Sequence, residues 1–223
     1  MSEDGEGKKT TRDAIVAATI TLMHDHSSED IRVKDIIAQA GIARSLFYYH
    51  FESVGDVVDS MITDFADGFA DTLTNSFPQV PHEATLHVEQ MHNEIMASFN
   101  YIFDRRDLYA ALSADIYAGH TFRSRMRRQM IDAYEQCDFI FTDRLGRRCM
   151  LARRETEYYI ESIVGRHLGV IECWANRRFA ETPEEIFNME TVLDRLFYAP
   201  QVVRRQRYAD YGVIYTAKWE DLA

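Results

Sequence analysis

The segment of residues 44–50 carries a guanidinium, two phenols, a hydroxyl and an imidazole within two helical turns. Phe47 and Phe51 lie four residues apart, so on a helix both side chains face inward. The opposite face then exposes groups that read DNA bases, because arginine pairs with guanine and leucine packs on the thymine methyl group. Together with one lysine from the preceding helix, the predicted base-contacting residues are Lys34, Arg44, Ser45, Leu46 and Tyr49.

Two short helices around a tight turn must position this face. An apolar stripe of Ile36, Ile37 and Ala40 predicts the first helix. Gly41 ends that helix, because glycine adopts the left-handed conformation without a Cβ clash. The second helix is predicted over residues 43–50. Spacing alone leaves an ordinary helical hairpin with a solvated polar face as an equally good interpretation.

Residues 40–51, Ala-Gly-Ile-Ala-Arg-Ser-Leu-Phe-Tyr-Tyr-His-Phe, resemble the helix-turn-helix signature of TetR-family transcriptional regulators. The glycine, the apolar residue after it and the Tyr-x-His-Phe ending all fall at the spacing of that family. An upstream helix with apolar Ile15, Ala18 and Leu22 fits the same pattern. The resemblance implies a ligand-responsive regulator of the TetR/AcrR type, usually a repressor, that binds an operator as a homodimer and is not an enzyme.

Phosphate contacts are expected beside the base-reading face. The resemblance implies that Tyr48 and His50 hold the DNA backbone, as the matching family positions do. Basic residues also cluster at the start of helix one and on helices two and three. The predicted phosphate-contacting residues are Lys8, Lys9, Arg32, Tyr48 and His50. The sequence departs from the family pattern at Val33 and Val54, where the family often has threonine and lysine facing the backbone.

The charge of the chain opposes tight DNA binding. The formal net charge is −11, whereas affinity for DNA depends largely on the neutralisation of phosphates. We therefore expect a modest, salt-sensitive affinity. The alternative is a TetR-like co-regulator that acts mainly through a protein partner. Residues 174–186 weakly resemble the TetR-like group that includes regulators of dihydroxyacetone kinase genes, some of which work with partner proteins.

Helical periodicity and the positions of the four prolines predict an all-α fold of about nine helices. An N-terminal three-helix helix-turn-helix DNA-binding domain precedes a C-terminal helical ligand-binding and dimerisation domain. Helix seven is predicted over residues 121–145 and helix eight over 154–178. In the tail, residues 213–215 are either a strand or an apolar strap. The predicted divisions are a disordered arm over 1–9, the DNA-binding domain over 10–53, connecting helix four over 54–77, the ligand-binding and dimerisation domain over 78–199, and the tail over 200–223.

Methionine and aromatic side chains recur at helical spacing in the second domain. Most of them are expected to form core, but the same composition suits a ligand cavity between long helices. TetR-like proteins use their second domain in this way, so a small-molecule effector of unidentified class is predicted. The predicted pocket residues are Met91, Ile95, Phe99, Phe103, Tyr109, Phe122, Met126, Met130, Tyr134, Tyr159 and Ile163.

A homodimer is expected, because a single short half-site carries too little specificity for a genome. Gly165 and Gly169 lie four residues apart on helix eight, where another helix can approach closely. Packing within one chain is the alternative role of these glycines. The predicted interface residues on helices eight and nine are Gly165, Gly169, Trp174, Met189, Leu193 and Leu196.

Other chemistry has little support in the sequence. Three scattered cysteines form neither a disulfide framework nor a Cys-x-x-Cys metal site. His82, His87 and His92 do not match the spacing of a zinc site. No cofactor, metal or catalytic residue is predicted. An arginine-rich stretch over 105–154 is interpreted as a solvated helical face. A second nucleic-acid surface, or an anionic ligand bound by an inward-turned arginine, is the alternative. No apolar run is long enough to cross a bilayer, so we expect a cytoplasmic protein that does not bind membranes.

Overall fold

The computed structural model describes residues 3–77, 96–142, 145–196, 201–205, 212 and 215–217. The chain divides into two compact units, one formed by residues 1–67 with 105–126 and the other by 68–104 with 127–223. The helices are α1 (Glu3–Met23), α2 (Val33–Ala40), α3 (Arg44–His50), α4 (Val54–Ser76), α5 (described over 96–104), α6 (Arg106–Ala114), α7 (Ala118–Tyr134), α8 (Arg153–Asn176) and α9 (Pro183–Leu196). The strands are β1 (Cys137–Thr142), β2 (Arg148–Leu151), β3 (Gln201–Arg204) and β4 (Tyr215–Ala217).

The first unit contains α1–α3, the beginning of α4, α6 and the beginning of α7. Its core includes an aromatic cluster in which the rings of Phe65 and Tyr109 meet Phe122 edge to face, with centroids 5.4 and 5.3 Å from it. Arg12 joins α1 to α4, because its guanidinium donates to Ser60 Oγ at 2.6 Å and to Asp64 at 2.5 Å. These contacts join α1, α4, α6 and α7 within the first unit.

The second unit is organised around Trp174 on α8. Its ring stacks on Phe103 with centroids 5.7 Å apart and meets Phe99 and Phe179 edge to face. Its indole N–H donates to the Glu181 carbonyl at 3.0 Å. The side chain is 1% exposed, so it belongs to the core of its own chain.

A small sheet completes the second unit, with strand order β3-β1-β2-β4. β1 pairs antiparallel with β2 and β3, and β4 lies parallel to β2. Gly146, at φ +75°, lies in the link between β1 and β2, a backbone conformation that glycine adopts without strain. The rings of Tyr134 and Tyr159 pack on Phe139 of β1.

The fold class predicted from the sequence is confirmed as predominantly helical, but the boundary predicted for helix seven is wrong. α7 ends at Tyr134 and residues 137–142 form β1, although the prediction extended the helix to residue 145. Phe139, Ile140 and Phe141 are all buried. A strand buried on both faces reads as a continuous apolar run without alternation, which explains why periodicity did not reveal it.

The chain termini also differ from the sequence-based expectation. Helix α1 begins at Glu3, where a disordered arm over 1–9 was expected. In the tail, β4 occupies Tyr215–Ala217, and residues 213–214 lie outside the described residues. The described helices include none that is both long and apolar enough to span a membrane.

Candidate nucleic-acid interface

Helix α3 presents one apolar anchor inward and a polar face outward. Phe47 is 0% exposed, whereas Leu46, Tyr48 and Tyr49 are 42%, 47% and 59% exposed. Arg44 and Ser45 are exposed as well. Residues as large as leucine and tyrosine seldom project together from a folded surface unless they contact a partner.

The turn before α3 has the geometry that the sequence predicted. Gly41 adopts φ +64° and ψ +32°, and its N–H donates to the Ile37 carbonyl. The N–H of Ile42 donates to the same carbonyl at 3.3 Å. This left-handed closure ends α2 and lets α3 start one residue after Ala43, which is extended.

Two aromatic contacts organise the exposed face. The guanidinium of Arg44 lies 5.5 Å from the ring centroid of Tyr48, and its Nη2 is 3.5 Å from the Tyr48 hydroxyl oxygen. The Tyr49 ring meets the half-buried His50 imidazole edge to face at 5.0 Å. The side chains of the predicted base contact Arg44 and the predicted phosphate contact Tyr48 therefore contact each other on the surface.

The flanking predicted contacts lie on α2 and α1. Arg32 and Lys34 are exposed at the start of α2, beside Asp35, whose carboxylate accepts the Arg32 N–H at 3.1 Å. Lys8 and Lys9 lie within α1, but their side chains are outside the described part of the structure. The face built by α2 and α3 thus has arginine and lysine at its edge with an acid close by.

Asp115 is a buried carboxylate that sequence reasoning missed. It is 8% exposed and accepts hydrogen bonds from Ser28 N–H at 2.7 Å, Ser28 Oγ at 3.0 Å, Ala118 N–H at 2.7 Å and Tyr117 N–H at 2.9 Å. It links the loop before α2 to the start of α7. An aspartate just ahead of a helix start is an N-cap signal, but the predicted helix began three residues too late to show it.

These hydrogen bonds set the ionisation of Asp115. Burial alone raises its pKa, but the bonds from Ala118, Ser28 and Tyr117 outweigh that effect and hold the pKa below the ordinary value. The carboxylate is therefore charged at neutral pH. Charge-assisted bonds of this kind are stronger than neutral ones, so Asp115 ties the loop before α2 firmly to α7.

The predicted pocket residues divide between the two units. Tyr109, Phe122 and Met126 are buried in the first unit, with 2%, 0% and 1% exposure. In the second unit, Phe99 and Met130 are fully buried, and four further residues are half-buried: Phe103, Tyr134, Tyr159 and Ile163. Met91 and Ile95 lie outside the described residues, as do the three histidines weighed for zinc.

Two clefts of the described structure lie elsewhere. One, of about 530 Å³, is formed in the second unit by the sheet and the start of α8. The other, of about 410 Å³, is formed in the first unit by the loop before α2, the start of α4 and the start of α7. Neither is lined by a predicted pocket residue, so that pocket stays a prediction.

The predicted dimer residues fall into three groups. Gly165 and Gly169 are exposed on α8, and a Cβ added at either would meet nothing within 4 Å. Met189 is 51% exposed. The ring of Trp174 is buried in its own chain, where it packs on Phe99, Phe103 and Phe179. Its assignment to the interface is therefore wrong. The side chains of Leu193 and Leu196 are outside the description.

Helices α1, α2 and α3 have the arrangement of a helix-turn-helix DNA-binding protein, in which the last helix turns aromatic and basic groups outward. The model of "Bacterial regulatory proteins, tetR family" matches residues 15–61, which span α1, α2, α3 and the start of α4. Over this segment the chain is similar to transcriptional regulators of the TetR family.

Individual relatives agree with this assignment. The chain is 31% identical over 94 residues to the HTH-type transcriptional repressor KstR2 of Mycolicibacterium smegmatis, covering 42% of this chain and 44% of that protein. The matches span about half the length of the curated relatives.

Solved structures share the fold. A TetR-family regulator from Syntrophomonas wolfei described as putative has a TM-score of 0.61 at 14% identity, covering 85% of this chain and 95% of that one. The SmeT–triclosan complex has a TM-score of 0.60 at 14% identity, covering 90% and 99%. At such identities these likenesses concern the fold alone.

Proposed function

We propose that this protein is a ligand-responsive transcriptional repressor that binds a palindromic operator as a homodimer in the cytoplasm. The observation that carries the proposal is the outward face of α3. Arg44, Ser45, Leu46 and Tyr49 project from it while Phe47 anchors the helix in the core. Such a face fits the major groove, which presents a distinct donor and acceptor pattern for each base pair. Tyr48, His50, Arg32 and the lysines of α1 would contact the flanking phosphates.

Repression and effector binding rest on similarity as well as on composition. KstR2 is a transcriptional repressor by name, and the SmeT structure is a complex with triclosan. We propose that residues 78–199 hold a comparable effector site and the dimer surface. The aromatic and methionine residues of α5–α8 suit an effector that is partly apolar, and the effector would weaken operator binding.

Capture of genomic DNA fragments by the purified protein tests the proposal. The wild-type chain should enrich a small set of palindromic sites, and the double variant Arg44→Ala/Tyr49→Ala should lose that enrichment. Arg128→Ala is the matched control, because Arg128 is an exposed arginine of α7 that pairs with Asp132. Equal enrichment by all three proteins, or random fragments from the wild type, would contradict sequence-specific reading.

A second candidate is a co-regulator that acts through a protein partner. Val33 and Val54 are half-buried where the family often has groups that contact the DNA backbone. With a chain charge of −11, these losses favour weak DNA binding. The same capture experiment separates the two candidates, since a co-regulator enriches sites only when its partner protein is added.

A further inference from the structure

A cleft of about 410 Å³ opens in the first unit, and none of its described lining residues belongs to α3. Its walls come from three segments: residues 28–31 before α2, residues 53–62 at the start of α4, and residues 117–121 at the start of α7. This volume lies within the usual range of small-molecule sites. The proposed effector site lies within residues 78–199, so it includes neither residues 28–31 nor residues 53–62.

The lining of the cleft combines an apolar floor with acidic edges. Ile31, Val58 and Ile62 are 6%, 6% and 3% exposed and supply the floor. Glu29 and Asp59 are the charged residues among the described lining, which contains no arginine, lysine or histidine. A ligand that fits both features has an apolar body and a positive charge.

Two helix N-termini border the cleft and would by themselves favour an anion. At each of these N-termini, however, a side chain of the protein already accepts a backbone N–H. Asp115 accepts the first N–H of α7 at 2.7 Å, and Ser53 Oγ accepts the Asp56 N–H of α4 at 3.1 Å. Asp56 adds a negative charge in the first turn of α4. The full charges of Glu29 and Asp59 therefore exceed what remains of the two helix dipoles.

The ionisation of Tyr117 agrees with a negative potential at this place. Its hydroxyl donates to the Glu29 carboxylate, and that bond, with the charges of Glu29, Asp30 and Asp115, raises the pKa of the Tyr117 phenol. The ring is 53% exposed at the edge of the cleft. An exposed aromatic face beside carboxylates attracts ammonium groups.

We propose that this cleft binds a small amphipathic organic cation. Its ammonium group contacts the carboxylates of Glu29 and Asp59, and its apolar body lies on Ile31, Val58 and Ile62. The Tyr117 ring covers the charged end. A divalent metal ion fits less well, because the described residues contain no group of three or more metal-ligating side chains. The site lies within the DNA-reading unit itself.

Three probes of equal chain length test the proposal: hexylammonium, 1-hexanol and hexanoate. Calorimetric titration of the full chain without DNA should show binding of hexylammonium, at least about fivefold weaker binding of hexanol, and none of hexanoate. Equal affinity for hexylammonium and hexanol would overturn the assignment of a cation site, because the carboxylates would then contribute nothing.

Variants locate the binding. Glu29→Gln and Asp59→Asn should each weaken hexylammonium binding about two- to fivefold, as expected for partly solvated ion pairs. The matched controls are Glu172→Gln and Asp71→Asn, which neutralise exposed acids of the second unit and change the net charge equally. Equal losses in the controls, or an unchanged affinity in the Glu29→Gln/Asp59→Asn double variant, would exclude this cleft.

Tyr117 provides an independent readout. Tyr117→Phe keeps the ring and releases Glu29 from its hydrogen bond, so hexylammonium affinity should be unchanged or higher. Tyr117→Ala removes the ring and should lower the affinity severalfold. Identical affinities of the phenylalanine and alanine variants would contradict a role for the aromatic face. Because these measurements need no operator, their failure would leave the proposed repressor function untouched.

Discussion

A few side chains of α3 contain the proposed sequence specificity. Phe47 and Phe51 are buried, and with these rings facing inward Arg44, Ser45 and Tyr49 point outward together. The contact between Arg44 and Tyr48 restrains the guanidinium before DNA arrives. A restrained side chain loses less conformational entropy on binding, so this pair favours recognition despite the acidic chain.

Replacement of Arg44 by alanine should lower operator affinity by about 1–3 kcal/mol and relax the preference at one base position. The reason is the loss of a bidentate contact to a guanine edge. Binding isotherms on operator variants at fixed salt measure both effects. The Arg128→Ala control should bind as the wild type does, and an Arg44→Ala protein with unchanged preference at every position would disprove the assignment.

At the scale of elements, contacts between segments far apart in sequence stabilise each of the two units. Asp115 bonds to Ser28, 87 residues earlier, and also caps α7. Arg12 joins α1 to α4 through Ser60 and Asp64. In the second unit, Trp174 fastens α8 to α5 and to the turn before α9. Each of these links depends on one side chain, so each can be tested singly.

Asp115→Asn should destabilise the protein by about 1–3 kcal/mol at neutral pH, because the amide cannot accept the same charge-assisted bonds. The pKa of Asp115 is lowered from 3.8 in the folded state. Its stabilising effect is therefore complete well above pH 3.8 and disappears as the pH falls through the lower folded value.

Urea unfolding across this pH range measures the difference between wild type and Asp115→Asn. The gap in unfolding free energy should be widest near neutrality and should close in acid. Asp71→Asn, an exposed carboxyl of α4, is the control and should show no such gap. A gap that stays constant with pH would mean that ionised Asp115 is not the stabilising form.

Trp174→Ala should cost about 3–5 kcal/mol of stability, the usual effect of removing a large buried aromatic side chain. The loss should not depend on protein concentration, since the side chain is already 1% exposed within the single chain. Denaturation at two protein concentrations provides the measurement. A destabilisation that vanishes at high protein concentration would indicate that Trp174 lies in an interface between two chains.

For the whole molecule, dimerisation decides whether two helix-turn-helix segments can bind the two halves of a palindromic operator. Gly165 and Gly169 leave an exposed smooth surface on α8, beside Tyr158, which is 69% exposed. Exposed small residues on a helix leave room for the close packing of a second helix. The mainly acidic chain makes this assembly more important, because each head alone would bind DNA weakly.

Gly165→Leu/Gly169→Leu should shift the protein from dimer to monomer and abolish cooperative operator binding. The protomer should stay folded, because an added Cβ at either position has open space within the chain. Sedimentation at micromolar concentration, with circular dichroism as the folding control, checks both statements. A wild-type protein that sediments as a 26.0 kDa monomer, and that also binds DNA as a monomer, would contradict the dimer.

The sequence by itself determined the helix-turn-helix, because its information is local. Gly41, the stripe before it and the spacing of Phe47 and Phe51 specify the turn and the outward face of α3 within a few residues. The predominantly helical class follows from periodicity in the same way.

Only the tertiary structure decided the remaining features, because their partners are distant in the chain. β1 forms by pairing with β2 and with β3, which lies more than fifty residues later, and pairing of this kind leaves no local signal when both faces are buried. The exposure of one side of α8 and the burial of Trp174 depend on which neighbours pack there. The same holds for Asp115, whose partner Ser28 lies 87 residues away in the chain.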